Sequence, residues 1–286
     1  MKSFFKFLFI FGIILLLSAF LAPILFDFLP FKFERIFNRL VMIFSITAAF
    51  FFVRIGPETF RRYGLDWQTN SSPLLLKGFV LGVFTLIFLL GIEIAGGAVT
   101  WNPKPFQLGL YAGTIAKALL TGLVVGAIEE FFFRGFVYSW LRDRGKWHVI
   151  PNVALVSVFY SLVHFISKNR PFIGPDPGFK DSLLLMSAPF RALMAWPEIW
   201  PHALGLFLFG VILNLLVIRT GSLYPSIGLH AGCVFVVKSD ALFVDFLGRN
   251  SHLWAGSAMV DGLVSWIVLI LLWPICILIF KRINHE

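Results

Sequence analysis

Long apolar runs, separated by short polar or proline-bearing breaks, pattern the 286-residue chain along its whole length. A helix needs about 20 apolar residues to cross the hydrocarbon core at 1.5 Å per residue. Runs close to that length fall near 5–28, 38–54, 74–97, 112–140, 149–166, 202–219, 222–240 and 261–280. The pattern predicts an all-α, polytopic transmembrane helix bundle of about eight spans. The run 112–140 exceeds what the core requires, since ~29 residues rise by roughly 40 Å, so its helix must tilt or project. The first run follows Lys2 and Lys6 and imitates a signal peptide. It continues through Pro23 to Phe28 without a small-x-small cleavage site, and reads as a retained span. Segment 167–201 breaks the pattern with Pro171, Pro175, Pro177, Pro189, Pro197 and Pro201. Its apolar stretch, Leu183 to Trp196, is short and interrupted, which predicts a re-entrant or interfacial element.

Composition agrees. Hydrophobic residues make up 58% and charged residues 14%, against about 25% charged in soluble domains. Too little polar material remains to cover a globule in water, so the outer surface must face lipid. The net charge of +9 does not point to nucleic acid, because the basic residues sit at the ends of apolar runs and form no stripe. Such flanks anchor to headgroups and set topology. With the N-terminus inside, one side holds Lys2, Lys6, Arg54, Arg61, Arg62, Arg142, Arg144, Lys146, Arg219, Lys281 and Arg282. The other holds Lys32, Arg35, Arg39, Lys104, Lys238 and Arg249. This bias predicts both termini on the cytoplasmic side. Cys233 and Cys276 lie within apolar runs and make no disulfide framework or CxxC pair.

The run 112–140 contains Glu129-Glu130-Phe-Phe-Phe-Arg134. An ionisable side chain at mid-membrane costs about 2.5–3.5 kcal/mol on insertion scales, so three together need partners or a purpose. Glu130 and Arg134 stand i,i+4 on one face and can pair. Glu129, about 100° around the helix, is left over. A purely structural ion network accounts for the pair but not for the extra carboxylate. His164 in the next run and His230 in the seventh add to the excess. Counting along the helices from the side of 141–148 and 219–222 puts Glu129 and His164 roughly 20 Å deep and His230 about 12 Å deep. Residues of three helices can therefore meet. Two chemistries fit: Glu129 and His164 activating water while His230 polarises a carbonyl, or a Zn²⁺ held by His164, His230 and Glu129. Elsewhere, the lone Glu93 is expected to pair with Lys117. His148, His202, His252 and His285, near span ends, are expected in interfacial or solvated roles.

These elements, in this order and on separate spans, resemble the CPBP family of intramembrane proteases, which includes CAAX prenyl endopeptidases and bacteriocin-processing or immunity proteins of the Abi type. The EExxxR motif appears as Glu129-Glu130-Phe-Phe-Phe-Arg134, and FxxxH as Tyr160-Ser-Leu-Val-His164, with tyrosine for phenylalanine. The third motif, HxxxN or HxxxD, falls on His230, but its fourth position is Val234. That departure removes the family's oxyanion-binding amide, for which Asn214 on the neighbouring span is a replacement candidate. An interhelical hydrogen bond is the alternative role for Asn214.

The resemblance covers about 110–240. It implies a four-helix catalytic core at 111–240 with a loop at 167–201, between three N-terminal spans (1–110) and a C-terminal loop and last span (241–286). It further implies an intramembrane endopeptidase acting on a membrane-associated peptide or protein, with Glu129, His164 and His230 catalytic. Glu130, Arg134 and Asn214 would support the site. No cofactor is expected in the glutamate mechanism, and Zn²⁺ in the other. The compact architecture suggests a bacterial cytoplasmic membrane. A different class also fits, a non-proteolytic immunity or scaffold protein on the same fold. A transporter with a carboxylate relay does not, since no inverted repeat is evident.

Overall fold

The computed structural model describes residues 2–53, 58, 61, 63–67, 70–145, 148–164, 172–187, 194, 196–246 and 260–280. In chain order its helices are α1 (Lys2–Phe26), α2 (Phe33–Val53), α3 (Ser71–Ala95) and α4 (Leu108–Glu130). The last runs on through a π-helical stretch, Phe131–Tyr138, into α5 (Ser139–Gly145). There follow α6 (Val149–His164), α7 (Phe179–Met186), α8 (Trp196–Thr220), α9 (Tyr224–Ser239) and α10 (Leu263–Ile279). Among the described residues each predicted apolar run falls mainly on a helix, and the protein is an all-α membrane helix bundle.

Apolar length separates these helices into kinds. Leu8–Phe26, Ser71–Ala95, Leu108–Asp143 and Ile199–Thr220 are long and apolar enough to cross a bilayer, while α6 and α10 are apolar but shorter. The helix through 108–143 is the overlong element expected at 112–140. Two strands, β1 (Val99–Trp101) and β2 (Val244–Phe246), pair antiparallel with Thr100 opposite Asp245. Three-residue strands leave no periodicity for a sequence to show. They mark one end of the bundle; the turn joining α8 to α9 marks the other.

Helix α9 is the innermost element. Every residue from Tyr224 to Gly232 is buried, and its main neighbours are α3 on one side and α4 on the other. Small residues at i,i+4 make that approach possible. A Cβ on Gly78 or Gly82 of α3 would strike the backbone of Pro225 and Leu229, and one on Gly228 or Gly232 would strike Leu75 and Phe79. On the opposite face Gly122 and Gly126 of α4 meet the backbone of Ala231 and Ile227. Without a hydrophobic force between helices in lipid, close backbone packing of this kind supplies the association energy. Three glycine pairs at this spacing were the sequence signal for the central helix.

Around α9, a core of Phe133, Tyr160, Phe209, Leu213, Leu229 and Leu272 joins the π-helical stretch to α6, α8 and α10. A second cluster, including Ala19, Ala22, Phe37 and Leu185, binds α1 to α2 and to α7. The short helix α7 thus docks on α1 within the segment expected to be re-entrant or interfacial; Pro171, Pro189 and the rest of 165–171 and 188–193 lie outside the described residues. The α8–α9 turn is made by Gly221 at φ 63°, and Leu223 N–H donates to Gly64 O at 2.8 Å. Arg219 caps the end of α10, donating to Phe280 O at 2.7 Å and Ile277 O at 3.0 Å.

Two expectations are corrected. Glu93 does not pair with Lys117: both Glu93 carboxylate oxygens are buried without a hydrogen-bond partner, and Lys117 is exposed. The cause is α9, which stands between α3 and α4 and keeps the two helices apart. His202 is not a solvated end residue, since its imidazole is largely buried and faces Asp261 at 3.9 Å. His148 is exposed, whereas His252, His285, Arg54, Arg62, Lys146, Arg249, Lys281 and Arg282 lie outside the described residues.

Candidate active site

Three helices bring Glu129, His164 and His230 together. Glu129 ends α4, His164 ends α6, and His230 lies two turns into α9. Glu129 Oε2 stands 3.6 Å from His164 Nε2 and 3.8 Å from His230 Nε2. The convergence expected from helix depth is therefore present as geometry.

The other nitrogen of each imidazole is already committed. His164 Nδ1 lies 2.8 Å from Tyr160 O. A carbonyl only accepts, so Nδ1 carries the hydrogen. His230 Nδ1 lies 3.0 Å from Glu130 Oε1, and this oxygen also accepts from Arg134 Nη1 at 3.0 Å. An ionised Glu130 requires Nδ1 of His230 to be the donor as well. In the neutral form both histidines then turn a bare Nε2 towards Glu129. Glu129 Oε2 is buried and makes no hydrogen bond, as expected for one of three acceptors aimed at a common point. A water there can donate to two of the three.

Access is asymmetric. The side chains of Glu129 and His164 are 28% and 29% exposed, while Glu130 and Arg134 are both at 0%. The first pair can meet a substrate; the second forms the sealed floor. Arg134 is held there by three further contacts. Nη2 donates to Gly210 O at 3.2 Å, and the guanidinium lies 4.4 Å from the centre of the Tyr160 ring, a cation–π arrangement strengthened by desolvation. The Phe133 ring is 5.7 Å away. Tyr160 also packs on His164, with ring centres 4.5 Å apart. An aromatic ring is what this position requires, and tyrosine in place of phenylalanine provides it. The π-helical turn starting at Phe131 widens the helix immediately after the acidic pair, a feature often found at functional sites and without a signal in the sequence.

Asn214 is placed in the helix interface. Its Nδ2 donates to Ser157 Oγ at 3.1 Å and to Gly210 O at 2.9 Å. Both of its hydrogens are spent, so it has no donor left for an oxyanion. Val234, one turn beyond His230, has none by its nature. Ligand atoms on a tetrahedral zinc with bonds of about 2.0–2.1 Å stand roughly 3.3 Å apart; Glu129 Oε2 stands 3.6 Å from His164 Nε2 and 3.8 Å from His230 Nε2, so the three would have to draw together to hold one. No three His, Cys, Asp or Glu side chains among the described residues stand in ligating geometry.

The fold and the site together define an integral membrane protein whose helix bundle encloses a glutamate–histidine–arginine cluster. Residues 111–236 match the model of the family described as Type II CAAX prenyl endopeptidase Rce1-like, and the matched stretch carries all three motifs. The match ends two residues past Val234 and contains every site residue named above. No curated protein and no solved structure matches the chain.

Proposed function

We propose that the protein is an intramembrane endopeptidase that hydrolyses a peptide bond of a membrane-associated protein or peptide, using water activated by Glu129 and His164. The single observation that carries this reading is the convergence of two Nε2 atoms on the unbonded Oε2 of Glu129, with both Nδ1 atoms engaged elsewhere.

A water at that point donates one hydrogen to Glu129 Oε2 and the other to His164 Nε2, leaving a lone pair for the scissile carbonyl carbon. As the C–O bond forms, Glu129 takes the proton. Two carboxylates and one guanidinium leave the cluster one positive charge short of neutrality. In this reading the missing charge is a proton on His230, whose Nε2–H then donates to the developing oxyanion while Glu130 holds Nδ1–H. Collapse of the intermediate breaks the C–N bond, and the proton on Glu129 passes to the leaving amine. His230 thereby takes the part that an Asn or Asp at position 234 would otherwise share. This route requires no metal ion.

The test uses the purified protein in liposomes with prenylated CAAX peptides and leader peptides as candidate substrates, and cleavage followed by mass spectrometry. Glu129→Gln and His164→Ala are expected to remain folded and inserted while cleavage disappears; wild-type rates in both would end the enzymatic reading. Val234 favours one alternative, a non-proteolytic immunity or scaffold protein, in which Glu129→Gln leaves the cellular phenotype intact. The basic flanks support cytoplasmic termini, which reporter fusions at each end would check.

A further inference from the structure

Outside the site, one line of titratable side chains runs towards the strand end of the bundle. It starts beside His164. Ser161 Oγ donates to Ala203 O at 2.9 Å, which ties α6 to α8 three residues before His164 and one residue beyond His202. His202 Nδ1 faces Asp261 Oδ2 at 3.9 Å, each side chain 15% exposed. The junction holding them is tight: Trp266 Nε1 donates to Pro201 O at 3.2 Å, and Gly205 lies against the backbone of Val260. The start of α10, just beyond Asp261, packs through Val264 and Val268 on Leu89 and Ile92 of α3, the helix that carries Glu93. The Glu93 side chain is fully buried, and neither carboxylate oxygen has a hydrogen-bond partner.

A fully buried carboxylate with neither oxygen hydrogen-bonded is costly in apolar surroundings, and water reaching Glu93 past the partly exposed His202–Asp261 pair would remove that cost. We infer that Glu93, Asp261 and His202 line a hydrated inlet running from the strand end of the bundle to His164, which supplies water to Glu129. Hydrolysis consumes one water per turnover, and a substrate lying over the exposed side of Glu129 shields that side from solvent. An entry from behind His164 is not blocked by it. The supply role rests on the proteolytic reading; the inlet itself does not.

The experiment separates the two. In a Cys233→Ala/Cys276→Ala background in proteoliposomes, His202→Cys and Asp261→Cys are treated with a membrane-impermeant methanethiosulfonate. Both are expected to react from the strand side, in the active protein and in the Glu129→Gln protein alike. Reaction is expected to lower cleavage at least tenfold, whereas reaction at Thr100→Cys, exposed at the same end, leaves cleavage unchanged. Absence of reaction at both positions overturns the inlet, and reaction without loss of cleavage overturns the supply role. As a second measurement, His202→Phe is expected to lower kcat about tenfold at unchanged KM, with His202→Asn restoring most of the rate. A wild-type kcat in His202→Phe also overturns the supply role. Full cleavage by Glu129→Gln would instead fault the proteolytic reading and leave the labelling result standing.

Discussion

Glu130 Oε1 accepts a 3.0 Å hydrogen bond from His230 Nδ1, across 100 residues of sequence, at the same oxygen that receives Arg134 Nη1. The ion pair of the EExxxR motif is thus more than a counter-charge for Arg134. It holds Nδ1–H of His230 and turns Nε2 towards Glu129, a positioning role of the kind carboxylates perform for catalytic imidazoles.

Replacing Glu130 with Gln is expected to keep the bundle folded, since an amide oxygen still accepts from His230 Nδ1–H and Arg134 Nη1, while removing the negative charge that faces the proposed protonated His230. Loss of the carboxylate behind the catalytic imidazole costs on the order of 10⁴-fold in kcat in the best-known triad, and a fall of at least about 10²-fold is expected here. Nitrogen-15 NMR of labelled histidine would show a neutral His230 in the variant, which a merely structural role would not produce.

Arg134→Ala is expected to act on stability first. It leaves Glu130 buried without its counter-charge, and breaking a buried pair by removing one partner costs about 3–5 kcal/mol. A much lowered thermal midpoint in detergent, partly recovered in the Glu130→Gln/Arg134→Ala double variant, would bear this out. Equal midpoints for wild type and Arg134→Ala would count against a sealed floor.

Tyr160→Phe is expected to retain both folding and cleavage, because the ring makes the contacts to Arg134 and His164. Tyr160→Leu removes the cation–π contact and should lower stability by about 0.5–2 kcal/mol. Thermal unfolding of the two variants side by side distinguishes ring from hydroxyl.

Gly82→Ala and Gly228→Ala are expected to be severely destabilising, since each new methyl group meets a backbone carbonyl of the facing helix. Gly12→Ala and Gly91→Ala, where nothing lies within 4 Å of the added carbon, should be silent. Monodispersity and thermal midpoints of the four proteins check the contrast.

Asn214→Ala should cost about 1–3 kcal/mol by leaving buried partners unsatisfied, with turnover per folded molecule changed less than about threefold. A large loss of kcat at unchanged stability would restore Asn214 as an oxyanion donor.

The sequence by itself determined the solvent and the elements. Apolar runs of spanning length can satisfy their backbone in lipid only as helices, so the bundle was legible from hydropathy. The cost of intramembrane charge made Glu129, Glu130, Arg134, His164 and His230 conspicuous, and helix rise sufficed to show that they could meet. Lateral arrangement was different, because depth along a helix says nothing about which helix lies beside it. Only the tertiary structure placed α9 between α3 and α4, which left Glu93 and Lys117 apart. Only it gave Glu130 two donors, spent both hydrogens of Asn214 within the interface, and widened the helix after the acidic pair. Those outcomes depend on distances of a few ångströms between helices, and it is the approach allowed by the paired glycines that sets them.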